Sequence, residues 1–194
     1  VDLKRAGAEV VALVDSRTQA TDAVKRVAMD TGTKLILGGV VTGAIGGKRL
    51  TGATIRTQSG DRVKLDCDLI AMSGGWNPNI QLTTHVGGKP AWNDRLHCFL
   101  PGGLPPGMSL AGAVAGDFSL SQSLSGGAAA GSTAANETGF KSVPVLVPRA
   151  IDESDAITAL WRVAKPDGKA FVDQQNDVAA SDIELAEREG FRSV

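Results

Sequence analysis

The chain contains few of the residue types on which several classes of function depend. Tyrosine is absent, aromatic residues make up 4% of the 194 residues, and there are only two cysteines and two histidines. Cys67 and Cys98 are too few and too far apart for a disulfide framework or a metal knuckle, so we expect structural thiols and no metal site. The net charge of −1 provides no basic surface to attract nucleic acid or an anionic membrane.

Long hydrophobic runs are also missing. The longest, such as residues 69–72 and 143–147, are far shorter than the roughly 20 apolar residues that span a bilayer, and the first residues do not read as a signal peptide. We therefore expect a soluble, cytoplasmic protein that does not bind a membrane. Glycine, in contrast, occurs 24 times, in an aromatic-poor background suited to tight turns between strands and helices.

The first residues predict an internal segment of a longer subunit. The chain begins with Val1 and has no initiator methionine, and residues 1–7 read as the tail of a helix that ends at Gly7. A helix with neither a cap nor a preceding strand is an unusual start for a domain.

The order of the first elements predicts an α/β fold. Residues 8–14 are typical of a short buried strand, residues 18–30 carry apolar side chains at helical spacing, and residues 34–37 resume a strand. This order indicates a parallel sheet with crossover connections. Three strand-like runs between residues 40 and 65, separated by glycine turns, predict hairpins. We therefore predict a partial doubly wound, Rossmann-like FAD/NAD-binding fold with a β-hairpin crossover and a small C-terminal extension.

Two glycine-bearing strand ends are the candidates for cofactor binding. One strand is predicted at residues 66–75, and a second at residues 108–115, followed by a long helix over residues 119–138. Glycine at a strand end lets the main chain approach a pyrophosphate, and a helix N-terminus favours a phosphate. Each segment could also be an ordinary strand-to-helix turn. Taken together, they predict a dinucleotide site with contacts at Gly75, Gly116, Asp117, Phe118 and Ser119.

Beyond Phe140 the character of the chain changes. Residues 143–149 contain two prolines and predict a linker or an edge segment, and residues 159–163 predict a strand. The last helix is predicted to begin with Ser181 as N-cap and Glu184 as its capping-box partner.

Asp15 is a separate candidate for cofactor contact. An acid at the end of the second strand of a βαβ unit commonly bonds ribose hydroxyls and so selects NAD. Arg17 could instead pair with Asp15 or reach a 2′-phosphate. A helix cap facing solvent is a further interpretation, so the role of Asp15 stays open. His85 and His97 lie near no pattern that indicates a catalytic relay.

The two glycine-bearing segments resemble the D-x-x-x-x-A-x-G-x-x-P-N strand and the later A-G-D strand of flavoprotein reductases with two dinucleotide domains. The resemblance falls on Asp68, Ser73 in the place of alanine, Gly75, Pro78, Asn79, Gly116 and Asp117. It implies that the Gly-Asp carboxylate and the following helix start lie against the dinucleotide of the first domain. It also implies that Gly75 lies where the chain crosses back from an inserted nicotinamide-type domain.

A narrower resemblance runs through nearly the whole chain. The segments similar to the alpha subunits of heterotetrameric sarcosine oxidases are residues 71–79, 87–90, 104–108, 169–173, 175–178 and 189–194. The last is the most specific, because general reductases have no such tail. The resemblance implies that residues 1–140 are a partial FAD/NAD(P)-binding domain without its first strand and G-x-G-x-x-G loop. Residues 141–194 would then be a linker and the start of a small domain that leads to a folate-binding domain.

The resemblance implies a complex in which the alpha subunit assembles with beta, gamma and delta subunits. Such a complex oxidises sarcosine, passes the one-carbon unit to tetrahydrofolate and reduces oxygen to hydrogen peroxide. NAD and tetrahydrofolate are expected on the alpha subunit, and the flavins FAD and FMN mainly on the beta subunit. FAD, FMN and tetrahydrofolate are not expected on this chain itself, nor is a catalytic residue. Two alternatives stay open. One is a self-contained NAD(P)H-dependent flavoprotein reductase, which needs a G-x-G-x-x-G loop, and the other is a non-catalytic docking scaffold.

Overall fold

The structure, a computed structural model, describes residues 1–150 and 157–192. Two units are present, Val1–Met72 with Leu160–Val194, and Ser73–Ala159. Both mix helices and strands, so the predicted α/β class is confirmed. The doubly wound sheet and the boundary near residue 140 stay predictions, since one two-stranded pair is the only parallel pairing in the described residues.

The first unit begins with a strand–helix–strand segment. A short helix α1 (Asp2–Arg5) precedes β1 (Ala12–Asp15), α2 (Asp22–Asp30) and β2 (Lys34–Leu37), and β1 pairs with β2 in parallel. This order matches the prediction from apolar spacing. The helix starts later than residue 18 because Thr21 supplies the cap, its Oγ1 accepting from the Val24 N–H at 3.4 Å.

A three-stranded antiparallel sheet follows, in the order β3 (Gly39–Gly46), β4 (Leu50–Thr57) and β5 (Arg62–Asp66). Glycine turns join its strands, as predicted, and Gly46 takes a φ of 145° that side chains rarely adopt. The predicted hairpins are therefore confirmed.

The core of the first unit converges on Gly39. A Cβ at this position would lie 2.8 Å from Ile36 Cγ2 and 3.3 Å from both Val14 Cγ1 and Ile55 Cγ2. Side chains from β1, β2 and β4 thus meet where β3 has none. Only glycine permits this close approach, because any added carbon would overlap its neighbours.

The C-terminal residues of the first unit form a hairpin of β8 (Phe171–Asp173) and β9 (Val178–Ala179), followed by α5 (Ala180–Arg188). The prediction of Ser181 as N-cap is wrong. The N-cap is Ala179, whose N–H donates to Asp182 Oδ2 at 2.8 Å. The Asp182 carboxylate, three residues after Ala179, is a stronger acceptor than a serine hydroxyl. The helix therefore begins before Ser181. The strand predicted at residues 159–163 is also wrong, since these residues form no regular element.

The second unit contains a short helix, a hairpin and the longest helix. Its elements are α3 (Gln81–His85), β6 (Pro90–Asn93), β7 (Cys98–Pro101), a 3₁₀ helix (Gly112–Ala115) and α4 (Leu120–Glu137). In the antiparallel hairpin, the rings of Trp92 and Phe99 pack edge to face at 5.1 Å. The predicted long helix is confirmed, with Ser119 as its N-cap and Gly139 in the left-handed conformation after its end.

The strands predicted at residues 66–75 and 108–115, on which the cofactor prediction depends, do not form as predicted. After β5 ends at Asp66, residues 67–80 contain no strand, and Met72 is 88% exposed. An apolar run becomes a strand only where a neighbour offers its N–H and C=O groups, and no described strand pairs with this run. Residues 108–115 end in a 3₁₀ helix because Gly112 and Gly116 take φ values of 72° and 89° and bend the chain.

Candidate functional site

The candidate site is the turn between the 3₁₀ helix and α4. Gly116, with φ 89° and ψ 10°, ends the 3₁₀ helix in the left-handed conformation. The Gly116 N–H donates to the Ala113 carbonyl at 3.0 Å, and the Asp117 N–H donates to the Gly112 carbonyl at 3.2 Å. The turn therefore has a defined backbone, and it delivers Asp117, Phe118 and Ser119 to the start of an 18-residue helix.

Gly116 lies in closely packed surroundings. A Cβ on this residue would lie 3.1 Å from both Leu96 Cδ1 and Leu100 Cδ1. The space that we expected a ligand to need is thus filled by side chains of the β6–β7 hairpin and its loop. Contact between the Gly116 main chain and a dinucleotide stays a prediction, but the absence of a side chain has a structural reason of its own.

The Asp117 carboxylate lies along α4. Its Oδ2 is 3.2 Å from the position that a Cβ on Gly126 would occupy. The Asp117 carbonyl accepts a hydrogen bond from Ser123 Oγ at 3.0 Å, which fixes the main chain against the second turn of the helix. The two carboxylate oxygens are the only ionised acceptors in this turn, and such acceptors suit sugar hydroxyls.

Ser119 acts as a helix cap. Its Oγ accepts from the Gln122 N–H at 3.2 Å and donates to Gln122 Oε1 at 2.9 Å. A hydroxyl engaged in this way is not available as the main phosphate donor. Backbone N–H groups at the start of α4 and the positive end of the helix dipole are the anion-binding features of this turn. Phe118, the remaining predicted contact, is 37% exposed beside them.

Gly75 lies outside this turn. It belongs to the extended segment after Met72, its φ is 109°, and no atom comes within 4 Å of its Cβ position. The neighbouring Trp76 is largely exposed. The positive φ thus explains why this residue is a glycine. Its contact with a cofactor stays a prediction. The change from the first unit to the second falls between Met72 and Ser73, beside the position where the resemblance placed a domain crossing.

Asp15 belongs to the first unit and is paired with Arg17. Arg17 Nε donates to Asp15 Oδ1 at 3.0 Å, Arg17 Nη2 donates to Oδ2 at 2.7 Å, and the Arg17 N–H also reaches Oδ1 at 2.9 Å. These hydrogen bonds lower the pKa of the Asp15 carboxyl. Of the interpretations left open for Asp15, the ion pair is the one the structure contains. The cap of α2 is Thr21, so the helix-cap interpretation is wrong.

A cavity that the sequence analysis missed lies in the second unit. It has a volume of about 600 Å³ and is lined by two glycine pairs, at residues 87–88 and 102–103, together with Lys89. The paired glycines on either side of the β6–β7 hairpin were its signal in the sequence. Residues 87–90 also belong to a segment that resembles a known family.

The remaining candidates for chemistry are sparse. Burial raises the pKa of the Cys98 thiol, which fits a structural thiol. Within residues 1–150 and 157–192, no group of three or more His, Cys, Asp or Glu side chains is arranged to hold a metal ion. None of the helices in the same ranges combines the length and apolar character needed to cross a bilayer.

Comparison with known proteins gives one consistent result. No protein-family model matches the chain. The sarcosine oxidase subunit alpha of Rhizobium meliloti (strain 1021) is 37% identical over 197 residues, which cover 100% of this chain and 19% of the relative. The subunits of the same name from Corynebacterium sp. strains P-1 and U-96 are 33% and 31% identical, over 100% and 95% of this chain. The chain is thus similar, along all or nearly all of its length, to the alpha subunits of sarcosine oxidases. It spans about a fifth of the length of these relatives.

The match to sarcosine oxidase alpha subunits includes both glycine-bearing segments. Because two of the alignments cover the whole chain, Gly75 and the turn from Gly116 to Ser119 lie inside the matched region. The resemblance seen in the sequence is therefore confirmed at the level of the family. The similarity does not assign cofactor contacts to individual residues, such as those of the Gly116–Ser119 turn.

Proposed function

We propose that this chain is part of the alpha subunit of a sarcosine oxidase and supplies part of its NAD-type dinucleotide site. In this proposal the complete enzyme oxidises sarcosine to glycine, transfers the one-carbon unit to tetrahydrofolate and reduces oxygen to hydrogen peroxide. The chain holds no catalytic residue for that oxidation. FAD, FMN and tetrahydrofolate are bound elsewhere in an assembly with beta, gamma and delta subunits.

The start of α4 is the observation that carries the proposal. An 18-residue helix begins directly after the Gly116–Asp117 turn, and its first N–H groups have no partners within the helix. Such an N-terminus attracts a phosphate through these donors and through the helix dipole. The similarity to sarcosine oxidase alpha subunits supports a dinucleotide as the source of that phosphate.

Each predicted residue has a distinct role in this proposal. Backbone donors at the start of α4 bind a pyrophosphate oxygen, and the Asp117 carboxylate accepts hydrogen bonds from sugar hydroxyls. Ser119 keeps the helix end in place. Asp15 is not given a cofactor contact, because both of its oxygens are bonded to Arg17 and a ribose would have to displace that ion pair.

A charge placed at the first residue of α4 tests the proposal. Leu120 is 62% exposed at this position. In the full-length protein, Leu120→Asp should stabilise the helix by about 0.3–1 kcal/mol through the dipole. The same negative charge should repel a bound phosphate and lower the retained NAD several-fold. Leu120→Gln, which removes the apolar side chain without adding a charge, is the matched control.

The measurement is the molar ratio of NAD to protein after dialysis, with hydrogen exchange of α4 as the readout of folding. Reduced NAD content in Leu120→Asp, together with slower exchange and a normal Leu120→Gln, supports the site. Equal NAD content in the two variants contradicts it.

Exposed apolar residues favour a second candidate function, a docking surface for other parts of the assembly. Val143, Val145 and Leu146 are 74%, 62% and 93% exposed in a segment without regular structure. A contiguous apolar run of this kind marks an interaction site. If docking is its role, hydrogen exchange at residues 143–147 should be slower in the assembled enzyme than in the isolated subunit, and equal rates would exclude it.

A further inference from the structure

A second cavity, in the first unit, has the chemistry of an anion site. Its volume is about 320 Å³, and it lies between β3, β4, the turn after β4 and residues 163–165. Its charged lining side chains are Arg56 and Lys165, accompanied by the polar side chains of Thr42 and Thr57. No carboxylate is among the residues that line it.

Asp167 holds the wall of this cavity in place. Its N–H donates to the Thr42 carbonyl at 2.7 Å. Its Oδ2 accepts from Thr42 Oγ1 at 3.1 Å and from an Arg62 guanidinium nitrogen at 2.8 Å. These three bonds fix the segment that carries Lys165 against the antiparallel sheet. The cavity is therefore a built feature of the first unit.

The positive charge at the cavity is incompletely neutralised. Arg56 stands directly opposite Arg62 in the β4–β5 register, and like charges in that position repel each other. Asp167 neutralises Arg62. Asp61, in the turn after β4, accepts a hydrogen bond from Ser59 Oγ at 2.6 Å within that turn.

The Arg56 guanidinium has no partner in the described residues. Its Nε is buried and makes no hydrogen bond. A guanidinium carries five donors, and a buried donor without an acceptor is costly. Lys165, on the opposite wall, forms no ion pair within residues 1–150 and 157–192. Two cationic residues therefore line one small cavity, and no carboxylate is among its lining residues.

We propose that this cavity binds a small oxyanion, a carboxylate or a phosphate group. The Arg56 guanidinium supplies the directional donors, since its planar fork matches both groups. Lys165 adds a second charge. The Thr42 and Thr57 hydroxyls are engaged by Asp167 and by Ser59, so the two cations carry the binding. This site shares no residue with the turn before α4, so it goes beyond the proposed dinucleotide contact.

Equilibrium dialysis of the full-length protein with radiolabelled orthophosphate and, separately, with acetate tests the proposal. Lys165→Met should weaken binding about three- to fivefold, the range expected for loss of an exposed charge. Arg56→Gln should weaken it about tenfold or more, because a bidentate partner is lost. Lys169→Met, at an exposed lysine of the same segment outside the cavity, should bind as the wild type does.

The two probes distinguish the sources of the anion. Tighter binding of orthophosphate assigns a phosphoryl ligand, and tighter binding of acetate assigns a carboxylate. If Arg56→Gln does not fold, Lys165→Met at its exposed position still decides the matter. Failure of both probes to bind the wild type, or equal binding by Lys165→Met and the wild type, overturns the proposal. Leu120→Asp should not change anion binding here, which separates this site from the dinucleotide proposal.

Discussion

Substitution of Gly116 by alanine tests whether this glycine serves the fold before it serves a ligand. The residue has φ 89° and ψ 10°, a left-handed conformation that costs an L-residue roughly 1–2 kcal/mol. The new Cβ would also lie 3.1 Å from a methyl carbon of Leu96 and one of Leu100. Relief of such overpacking costs about 1–3 kcal/mol more. The two terms together give roughly 2–5 kcal/mol of local destabilisation.

Hydrogen exchange measures this effect locally, in the full-length protein. Because 1.4 kcal/mol corresponds to a factor of ten, amides protected by the turn, including those of Gly116 and Asp117, should exchange about 30-fold faster or more. Gly103→Ala is the control, since nothing lies within 4 Å of its Cβ position and its φ is not left-handed. Unchanged exchange in Gly116→Ala would refute both the backbone and the packing argument.

Two further predictions concern the first unit. Gly39→Ala should destabilise it by about 1–3 kcal/mol, because the added carbon would lie 2.8 Å from Ile36 Cγ2. Gly47→Ala, where the space is open, should change stability by less than about 1 kcal/mol, and urea unfolding compares the two. Arg17 lowers the pKa of Asp15. The ion pair should therefore stabilise the folded protein fully at pH values above the ordinary aspartate pKa of about 3.9. This stabilisation should be lost as the pH falls through the lower pKa of the folded state. Asp15→Asn should be about 1 kcal/mol less stable at pH 7 and lack this acid-dependent loss, and an unaltered pH profile would contradict the pairing.

Local signals in the sequence predicted much of the fold. The strand at residues 34–37, the glycine turns of the antiparallel sheet and the long helix α4 each depend on neighbours a few residues away. Such features are determined by short-range backbone chemistry, which the sequence displays directly. Ser119 was predicted as the start of this helix and as a cofactor contact, and its role as the helix cap became visible only in the structure.

Long-range pairing could not be predicted in the same way. The apolar run after Asp66 has the composition of a strand, but a strand exists only through a neighbouring chain segment. Cys67, at the start of the run, donates its N–H to the Thr51 carbonyl at 3.4 Å, but no strand pairing continues from there in the described residues. Similarly, Leu96 and Leu100 contact Gly116 although they are distant from it in sequence. No local sequence pattern predicts these contacts. The similarity to sarcosine oxidase alpha subunits, in contrast, was visible in short segments spread along the chain.

The bond between Arg62 and Asp167 has a consequence for synthesis of the protein on the ribosome. The two residues are separated by 105 positions, and the intervening chain contains all of the second unit. At about 5–20 residues per second, a ribosome needs roughly 5–20 s to make that stretch. During this interval the antiparallel sheet has emerged while the segment that covers one of its ends does not yet exist. The Arg62 side chain of β5 therefore meets solvent and its ions before it meets Asp167.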